Sequence, residues 1–306
     1  MHEPEMHQPL PRLWLFAGTG EGPPLAEALL AMGWRLRLSL VSDAAKRAYA
    51  TQPHLEVVIG AVGGAQAIAE ALDQARVEGD PFALVVDATH PFAQTISADL
   101  QTTCRQQALP LLRLQRPGGE EGPAQGQSPA QGLDHGQIHR LGCLEDLAEL
   151  PLQGHNLLLA IGHRQLAQAI ALSPGAHHHA RLLPNAPSLK VAMAAGLKPE
   201  RVACLRPTPL GLPWSDSVEA ALLRRWQISA IVARASGGAT EACWRSLASQ
   251  HKLRLILIQR PSQPNADAGL TREALLGQAQ DQLHAIQTRH GQRCNRNRAN
   301  GFGPHH

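Results

Sequence analysis

Short apolar runs alternate with amphipathic helical patterns along most of the chain. Runs rich in leucine and β-branched residues are typical of parallel strands buried on both faces. Strands are predicted at residues 13–17, 35–41, 55–59, 83–87, 109–114, 137–141, 156–161, 178–183, 201–205, 228–234 and 253–259. Helical patterns stand between them, clearest at 25–32, 65–76, 92–107, 218–226, 241–249 and 272–287. Regular alternation of this kind predicts doubly wound parallel sheets of the α/β class.

Residues 117–136 interrupt this alternation. The segment is rich in Gly, Gln, Pro, Ser and Ala and has almost no large apolar side chain, so it is predicted to be a flexible insertion. We therefore expect two Rossmann-like domains, a cofactor-binding one at 12–116 and a substrate domain at 137–289, with a cleft between them. The polar stretch 290–306 is expected to be a disordered tail.

Composition restricts the function classes. The formal net charge of +3 is mild, and no basic block with interleaved aromatic residues indicates nucleic-acid binding. The apolar runs are too short to span a bilayer, and the polar N-terminus lacks the apolar stretch of a signal peptide. Five scattered cysteines without a C-x-x-C pair favour reduced thiols and therefore a cytoplasmic location.

A glycine turn follows the first predicted strand. Gly18, Thr19, Gly20 and Glu21 lead into a helix whose first amides could receive a pyrophosphate. A proline, Pro23, stands where the G-x-G-x-x-G pattern needs its last glycine. The turn is thus a candidate dinucleotide site, and a tight turn without a ligand is the alternative reading.

The end of the second predicted strand bears on the choice of cofactor. An acid at this point usually holds the ribose hydroxyls of NAD. Here Ser39 and Ser42 are followed by Lys46 and Arg47, which suit the 2′-phosphate of NADPH. Asp43 argues for NADH unless it caps the next helix, and on balance the pattern favours NADPH.

A polar turn also follows the strand at 83–87. Asp87, Thr89 and His90 lie at its carboxyl end, and Pro91 keeps the preceding residue extended before the next helix begins. Ligands of open α/β sheets bind at such strand ends. Thr89 and Asp87 are therefore candidate cofactor contacts, although a residue of this turn could simply cap the helix.

Two histidine-containing segments have simpler explanations available. His177, His178 and His179 resemble metal ligands, but consecutive strand residues alternate faces and cannot converge on one ion. No metal site is predicted. His163 and Arg164 follow another strand end, where they could contact substrate or begin a helix.

Several motifs together resemble the precorrin-6A reductases of corrin biosynthesis. The specific one is D-A-T-H-P-F-A at 87–93, and P-L-L-R-L-Q-R-P at 110–117, R-L-L-P at 181–184, A-S-G-G at 235–238 and Q-R-P at 259–261 accompany it. The resemblance covers residues 13–262. It implies two Rossmann-like domains with the active site between them, and hydride transfer from NADPH to precorrin-6A or its cobalt-containing counterpart.

A macrocycle edged with acetate and propionate groups requires planar cationic donors. Arg113, Arg116, Arg181 and Arg234 are the candidates, with Ser236 and Gly237 as further substrate contacts. His90 is the first candidate for orienting the substrate or supplying a proton, and Thr89 and Arg234 complete the predicted catalytic set. The expected partner is the tetrapyrrole substrate, with transient contact to neighbouring corrin-pathway enzymes as a further expectation.

The sequence departs from the family pattern at Ala17, where a glycine often begins the turn, and at Arg234 and Ala235, where a lysine and an acid are common. These changes keep open an inactive NADPH-binding or scaffolding protein. A short-chain-dehydrogenase-like enzyme is less favoured, because Tyr49, the only tyrosine, is not followed by a lysine four residues later.

Overall fold

A computed structural model describes residues 10–116, 138–206, 213–260 and 269–300, with the side chains of the last helix described through Arg289 and at residue 292. The chain divides into two compact units. The first unit combines residues 1–116 with 265–306, and the second unit is the continuous segment 117–264.

The first unit contains a five-stranded parallel sheet in the order β3-β2-β1-β4-β5. This is the Rossmann arrangement, in which the chain leaves β1 in one direction and returns beside it as β4. Its elements are β1 (Arg12–Phe16), α1 (Gly22–Ala31), β2 (Arg35–Leu40), α2 (Asp43–Lys46), β3 (Leu55–Ile59), α3 (Gly64–Val77), β4 (Phe82–Asp87), α4 (Gln94–Gln106) and β5 (Leu111–Arg113).

Each face of this sheet is covered by its own hydrophobic core. On one face, Trp14 and Phe16 pack with Ile68 and Leu72 of α3 and Leu100 of α4. The other face carries the alternate side chains of the same strands and packs against α1. This two-sided burial explains the nearly continuous apolar runs of β1 and β4.

The second unit contains a six-stranded parallel sheet in the order β6-β11-β10-β7-β8-β9. Its elements are β6 (Ile138–Leu141), β7 (Asn156–Ala160), α5 (Leu166–Leu172), β8 (His177–Leu182), α6 (Ala186–Ala194), β9 (Val202–Cys204), α7 (Val218–Arg225), β10 (Ala230–Arg234), α8 (Ala239–Gln250) and β11 (Arg254–Ile258). Short 3-10 segments lie at Glu145–Glu149, Pro199–Arg201 and Trp214–Asp216. The predicted pair of parallel-sheet α/β domains is confirmed.

The last helix, α9 (Arg272–Asn300), does not belong to the domain in which the sequence placed it. Leu275, Ala279 and Leu283 are buried in the α1-side core of the first unit. Leu270, just before the helix, pairs in parallel with Leu114, beyond β5. The boundary predicted at residue 289 is therefore wrong: the apolar stripe of α9 covers a sheet face that α1 leaves open.

The helix also corrects the predicted tail, because residues 290–300 continue α9. The predicted flexible insertion at 117–136 lies outside the described residues. Across the parts of the chain that the structure describes, no helix combines the length and apolar character needed to cross a membrane.

Candidate functional site

The glycine turn between β1 and α1 is open on its outer side. Gly18 (φ +155°) and Gly20 are exposed, and a Cβ placed on either would meet no atom within 4 Å. Gly22 faces inward, where a Cβ would overlap the hydroxyl oxygen of Tyr49 and touch the side chain of Ala17. The turn therefore combines a tightly packed base with an open rim onto which a ligand can fit.

Glu21 of this turn is paired with an arginine in the segment after β5 and also accepts a hydrogen bond from Thr19. The Thr19 hydroxyl donates to Glu21 Oε2 over 2.9 Å, and Arg116 Nη2 lies 2.9 Å from the same oxygen. Arg116 is only 6% exposed. The structure thus places Arg116, predicted to bind substrate, as the partner of a carboxylate that would otherwise repel a pyrophosphate at the start of α1.

Asp87 is the anchor of the turn after β4. Its Oδ1 accepts hydrogen bonds from the Thr89 amide at 3.0 Å and the Thr89 hydroxyl at 2.6 Å. Its Oδ2 accepts from the Ser97 hydroxyl at 2.6 Å and lies 3.5 Å from Arg113 Nε. The carboxyl group is nearly inaccessible, so Asp87 organises the turn from inside while Thr89 is half-buried at its surface.

His90 is half-buried in the same turn, and its Nδ1 accepts a hydrogen bond from the Phe92 amide at 3.2 Å. An imidazole that accepts at Nδ1 carries its proton at Nε2 when neutral. The ring also contacts Phe92, with the centroids 5.7 Å apart. The backbone bond therefore places the proton of the neutral ring at Nε2.

Positively charged side chains and one apolar side chain are exposed at the end of β2. Ser42, Lys46 and Arg47 are exposed there. Sequence reasoning missed Val41, which is 68% exposed beside them and looks like an ordinary strand residue in the pattern. Ser39, predicted to bind the cofactor, is buried, and its hydroxyl accepts a hydrogen bond from Trp14 Nε1 at 2.8 Å. We therefore withdraw Ser39 from the site.

In the second unit, Arg234 ends β10 and is held by the loop after β7. Its Nη2 donates to Gln165 Oε1 over 2.8 Å. Burial, and secondarily the positive charge of Arg164, lowers the pKa of the Arg234 guanidinium. Arg234 and Arg164 thus lie at and after the carboxyl ends of two neighbouring strands, β10 and β7. Arg234 is predicted as a substrate ligand, and the sequence leaves Arg164 undecided between substrate contact and helix start.

The turn after Arg234 is braced by a second arginine and by a carboxylate. Gly237 adopts the left-handed conformation (φ +68°), and its amide donates to Glu241 Oε2 over 2.7 Å. Arg260 Nε donates to the Ala235 carbonyl over 2.9 Å. Ser236 is 7% exposed. The Gly237 amide is thus occupied within the chain, which leaves Arg234 as the better placed of the predicted substrate contacts on this turn.

Arg181 is not placed as a surface ligand. It is 7% exposed, and its Nη2 lies 3.1 Å from Glu219 Oε1, which is also buried. Breaking such a pair would leave an isolated buried charge. Arg181 is therefore better explained as a partner of Glu219 on α7 than as a substrate contact.

The histidines at 177–179 become progressively more buried along β8: His177 is exposed, His178 is half-buried and His179 is buried. His178 Nε2 lies 2.9 Å from the Ser173 hydroxyl, and the ring of His179 packs on Trp226 with centroids 5.0 Å apart. Among the described residues, no group of three or more His, Cys, Asp or Glu side chains could hold a metal ion.

Burial of these two rings makes stability depend on pH. Desolvation lowers the pKa of both His178 and His179, with Arg201 adding a smaller effect in the same direction. The unfolded state then binds protons more readily, so the free energy of unfolding should fall as pH drops below about 6.5. Urea denaturation at several pH values would measure this. In His179→Phe, which keeps the stacking on Trp226, the free energy of unfolding should fall less steeply as the pH is lowered. An equally steep fall in wild type and variant would show that His179 does not contribute to the pH dependence.

These features define a class of protein. A Rossmann-type sheet with an open glycine turn and polar turns at the carboxyl ends of β1 and β4 is the arrangement of nucleotide-dependent α/β enzymes. The chain belongs to the precorrin-6x reductase family: the family described as "Precorrin-6x reductase CbiJ/CobK" matches residues 12–280. The resemblance found in the sequence motifs is thereby confirmed, and the protein is a member of a family of oxidoreductases of cobalamin biosynthesis.

Relatives match along most of their length. A cobalt-precorrin-6A reductase of Synechocystis sp. is 31% identical over 254 residues, which cover 82% of this chain and 89% of that protein. A precorrin-6A reductase of Rhodococcus erythropolis is 30% identical over 262 residues, covering 83% and 91%. A solved structure described as CobK precorrin-6A reductase aligns with a TM-score of 0.64 at 27% identity and covers 89% of this chain and 98% of that one.

Proposed function

We propose that the protein reduces the macrocycle of precorrin-6A, or of its cobalt-containing counterpart, with NADPH as the reductant. The observation that carries this proposal is the Asp87–Thr89–His90 turn, which lies at the end of β4, next to the open glycine turn at the end of β1. The family and the relatives described above are named as reductases of these precorrins.

The first unit fits a dinucleotide on its own geometry. Gly18 and Gly20 leave the rim of the turn open, and Thr19 and Glu21 shape it. Ser42, Lys46 and Arg47 would hold the 2′-phosphate from the end of β2. NADPH supplies the hydride when it is bound.

His90 and Thr89 are the candidate catalytic residues of this unit. His90 presents its Nε2 proton because Nδ1 is bonded to the Phe92 amide, so it can orient the substrate or deliver a proton at that atom. Thr89 is fixed by two hydrogen bonds to Asp87. Asp87 therefore acts through Thr89 as a positioning residue.

The substrate carries several carboxylates, and we assign their recognition to arginines. Arg234 lies at a strand end in the second unit with its guanidinium held by a neutral amide. Arg113 lies at the end of β5, 19% exposed, and contacts Asp87 at 3.5 Å. Arg234 also belongs to the proposed catalytic set through its hold on the substrate, since an arginine is a poor proton donor near neutral pH.

The direct test is the absorbance of NADPH when purified protein meets precorrin-6A or cobalt-precorrin-6A. We expect NADPH oxidation that depends on the tetrapyrrole, and a dihydro product by mass spectrometry. Binding of both ligands without oxidation would instead support the inactive scaffolding alternative and overturn the proposal.

Cofactor preference provides a second, independent test. Lys46→Ala and Arg47→Ala should each weaken NADPH binding by about 1.5–3 kcal/mol, the range for a hydrogen bond to a charged group. Neither should change NADH binding, because NADH lacks the 2′-phosphate. Fluorescence titration with both nucleotides would measure this, with Arg105→Ala as the charge-matched control, because Arg105 is exposed on α4. Equal affinities of the wild type for NADPH and NADH would contradict the assignment.

We further propose that the enzyme acts in a reducing compartment, the cytoplasm. Cys104, Cys143, Cys204 and Cys243 are all free thiols. Burial raises the pKa of Cys104 and of Cys243 to about 12, so both stay protonated and inert.

A further inference from the structure

The segment after β2, which carries Lys46 and Arg47, is attached to the first unit by few contacts. Among the described residues, no hydrogen bond or ion pair joins residues 42–50 to another part of the chain. The backbone hydrogen bonds of the segment are local, as from the Tyr49 amide to the Lys46 carbonyl at 2.9 Å. Within it, Ala45 and Tyr49 are half-buried and the other residues are exposed. The position of the two cations therefore depends on how these two side chains pack.

Tyr49 makes the larger of the two packing contacts. Both side chains lie against the α1-side core, but a phenol ring buries far more apolar area than the methyl group of Ala45. The ring lines a groove along α1 together with Pro23, Ala26 and Leu30. Tyr49 is thus the main apolar contact between α1 and the segment that carries the cations.

The end of the phenol fits against Gly22, the first residue of α1. A Cβ at position 22 would overlap the Tyr49 hydroxyl oxygen and would lie 3.2 Å from the ring carbon that bears it. The hydroxyl is enclosed there and has no hydrogen-bond partner in the described part of the chain. Burial also raises the pKa of Tyr49 to about 12. The contact therefore depends on the shape of the ring and on the missing side chain of Gly22, since the hydroxyl gains no hydrogen bond.

We infer that Tyr49 is a positioning residue for cofactor specificity: its ring, packed against Gly22, holds Lys46 and Arg47 near the glycine turn, where they bind the 2′-phosphate of NADPH. The inference rests on the proposed function, because the two cations meet a cofactor only if NADPH binds at this edge of the sheet. The local bond between Tyr49 and Lys46 transmits the position of the ring to the cations. Cations that are already held in place lose less conformational entropy on binding than mobile ones.

Tyr49→Ala is the informative variant. It should weaken NADPH binding about tenfold and NADH binding about twofold or less, because only NADPH has the phosphate that the cations meet. Tyr49→Phe keeps the ring and should keep both affinities. Its melting temperature should be unchanged or higher, because it removes a buried hydroxyl that has no partner. Fluorescence titration with both nucleotides would measure the affinities.

Met32→Ala is the matched control, because Met32 is also half-buried against the α1-side core but lies just beyond the other end of α1. It should leave the ratio of the NADPH and NADH affinities unchanged. Equal losses of NADPH and NADH affinity in Tyr49→Ala would overturn the inference. A loss in Tyr49→Phe as large as in Tyr49→Ala would overturn it as well, because the hydroxyl and not the packed ring would then be the important group.

A triple variant tests whether Tyr49 acts through the cations. When Lys46 and Arg47 are both replaced by alanine, adding Tyr49→Ala should not change the ratio of the two affinities further, since no cation is left to position. A ring that only supports the fold would weaken both nucleotides by the same factor in either background, and that result would refute the positioning role.

Limited trypsin digestion separates this inference from the proposed function, because it needs no cofactor. Trypsin cleaves after Lys46 or Arg47 when the segment detaches locally, and mass spectrometry identifies the fragment. Cleavage there should be about tenfold faster in Tyr49→Ala, and in Gly22→Ala, whose new Cβ displaces the phenol, than in wild type and Met32→Ala. Equal rates in all four proteins refute the inference, whatever nucleotide binds. Faster cleavage with unchanged NADPH affinity would keep Tyr49 as the anchor of the segment and overturn the proposed cofactor contacts of Lys46 and Arg47.

Discussion

Replacing Leu283 by alanine is expected to destabilise the first unit by about 2–5 kcal/mol, the range for large-to-small substitutions in a packed core. Leu283 is 1% exposed and packs with Leu275 and Ala279 against the α1-side core. Thermal or urea unfolding would measure the loss. Leu275 is 0% exposed and lies on the same stripe of α9, so Leu275→Ala should cause a similar loss of stability.

Gln287→Ala on the same helix is the control, because its side chain is exposed and its loss should change stability by less than about 0.5 kcal/mol. Equal stability of Leu283→Ala and Gln287→Ala would show that α9 does not contribute to the core of the first unit. The original assignment of this helix to the second domain would then regain its support.

The second large effect is expected at Asp87. Asp87→Ala removes the acceptor of the Thr89 amide, the Thr89 hydroxyl and the Ser97 hydroxyl, together with a carboxylate 3.5 Å from Arg113. Breaking a buried charged network of this kind costs about 3–5 kcal/mol. Denaturant unfolding should show this loss, and turnover should fall as well, because Thr89 and His90 lose the support of their turn.

Asp73→Ala tests whether the effect is specific to burial. Asp73 forms an ion pair with Arg76 at 3.0 Å, but both side chains are largely exposed, so its removal should cost no more than about 1 kcal/mol. A similar loss for both aspartates would mean that the Asp87 network adds nothing beyond an ordinary surface pair. Asp87→Asn, which keeps the shape and loses the charge, should fall between wild type and Asp87→Ala.

The strands were predictable because burial on both faces leaves a direct trace in the sequence. Val85 and Val86 must be apolar whichever face they meet, and the polar residues then appear where β4 ends. The positions of the glycine turn and of the Thr89–His90 turn follow from the same rule. The domain to which α9 belongs does not: its apolar stripe indicates a buried helix but carries no information on which sheet it covers.

The side-chain partners within the site were also beyond the sequence. Ser39 lies near a strand end, where a cofactor contact is expected. Its hydroxyl instead accepts a hydrogen bond from the buried indole N–H of Trp14 on the neighbouring strand. Arg181 is paired with Glu219, 38 residues further along the chain. A polar residue near a strand end has the same pattern whether it serves a ligand or a buried donor, so only the packing distinguishes the two.

Because α9 completes the first unit, that unit is built from the two ends of the described chain, and the second unit is inserted between them. During synthesis the ribosome releases β1 to β5 long before it releases Leu275 and Leu283. Until α9 emerges, one face of the nascent sheet has apolar side chains that are only partly covered, among them Leu13, Leu15 and Val86. The inserted unit is continuous and can fold as soon as it emerges. We therefore expect the second unit to acquire protease resistance first on ribosome-bound chains, and the first unit only after release.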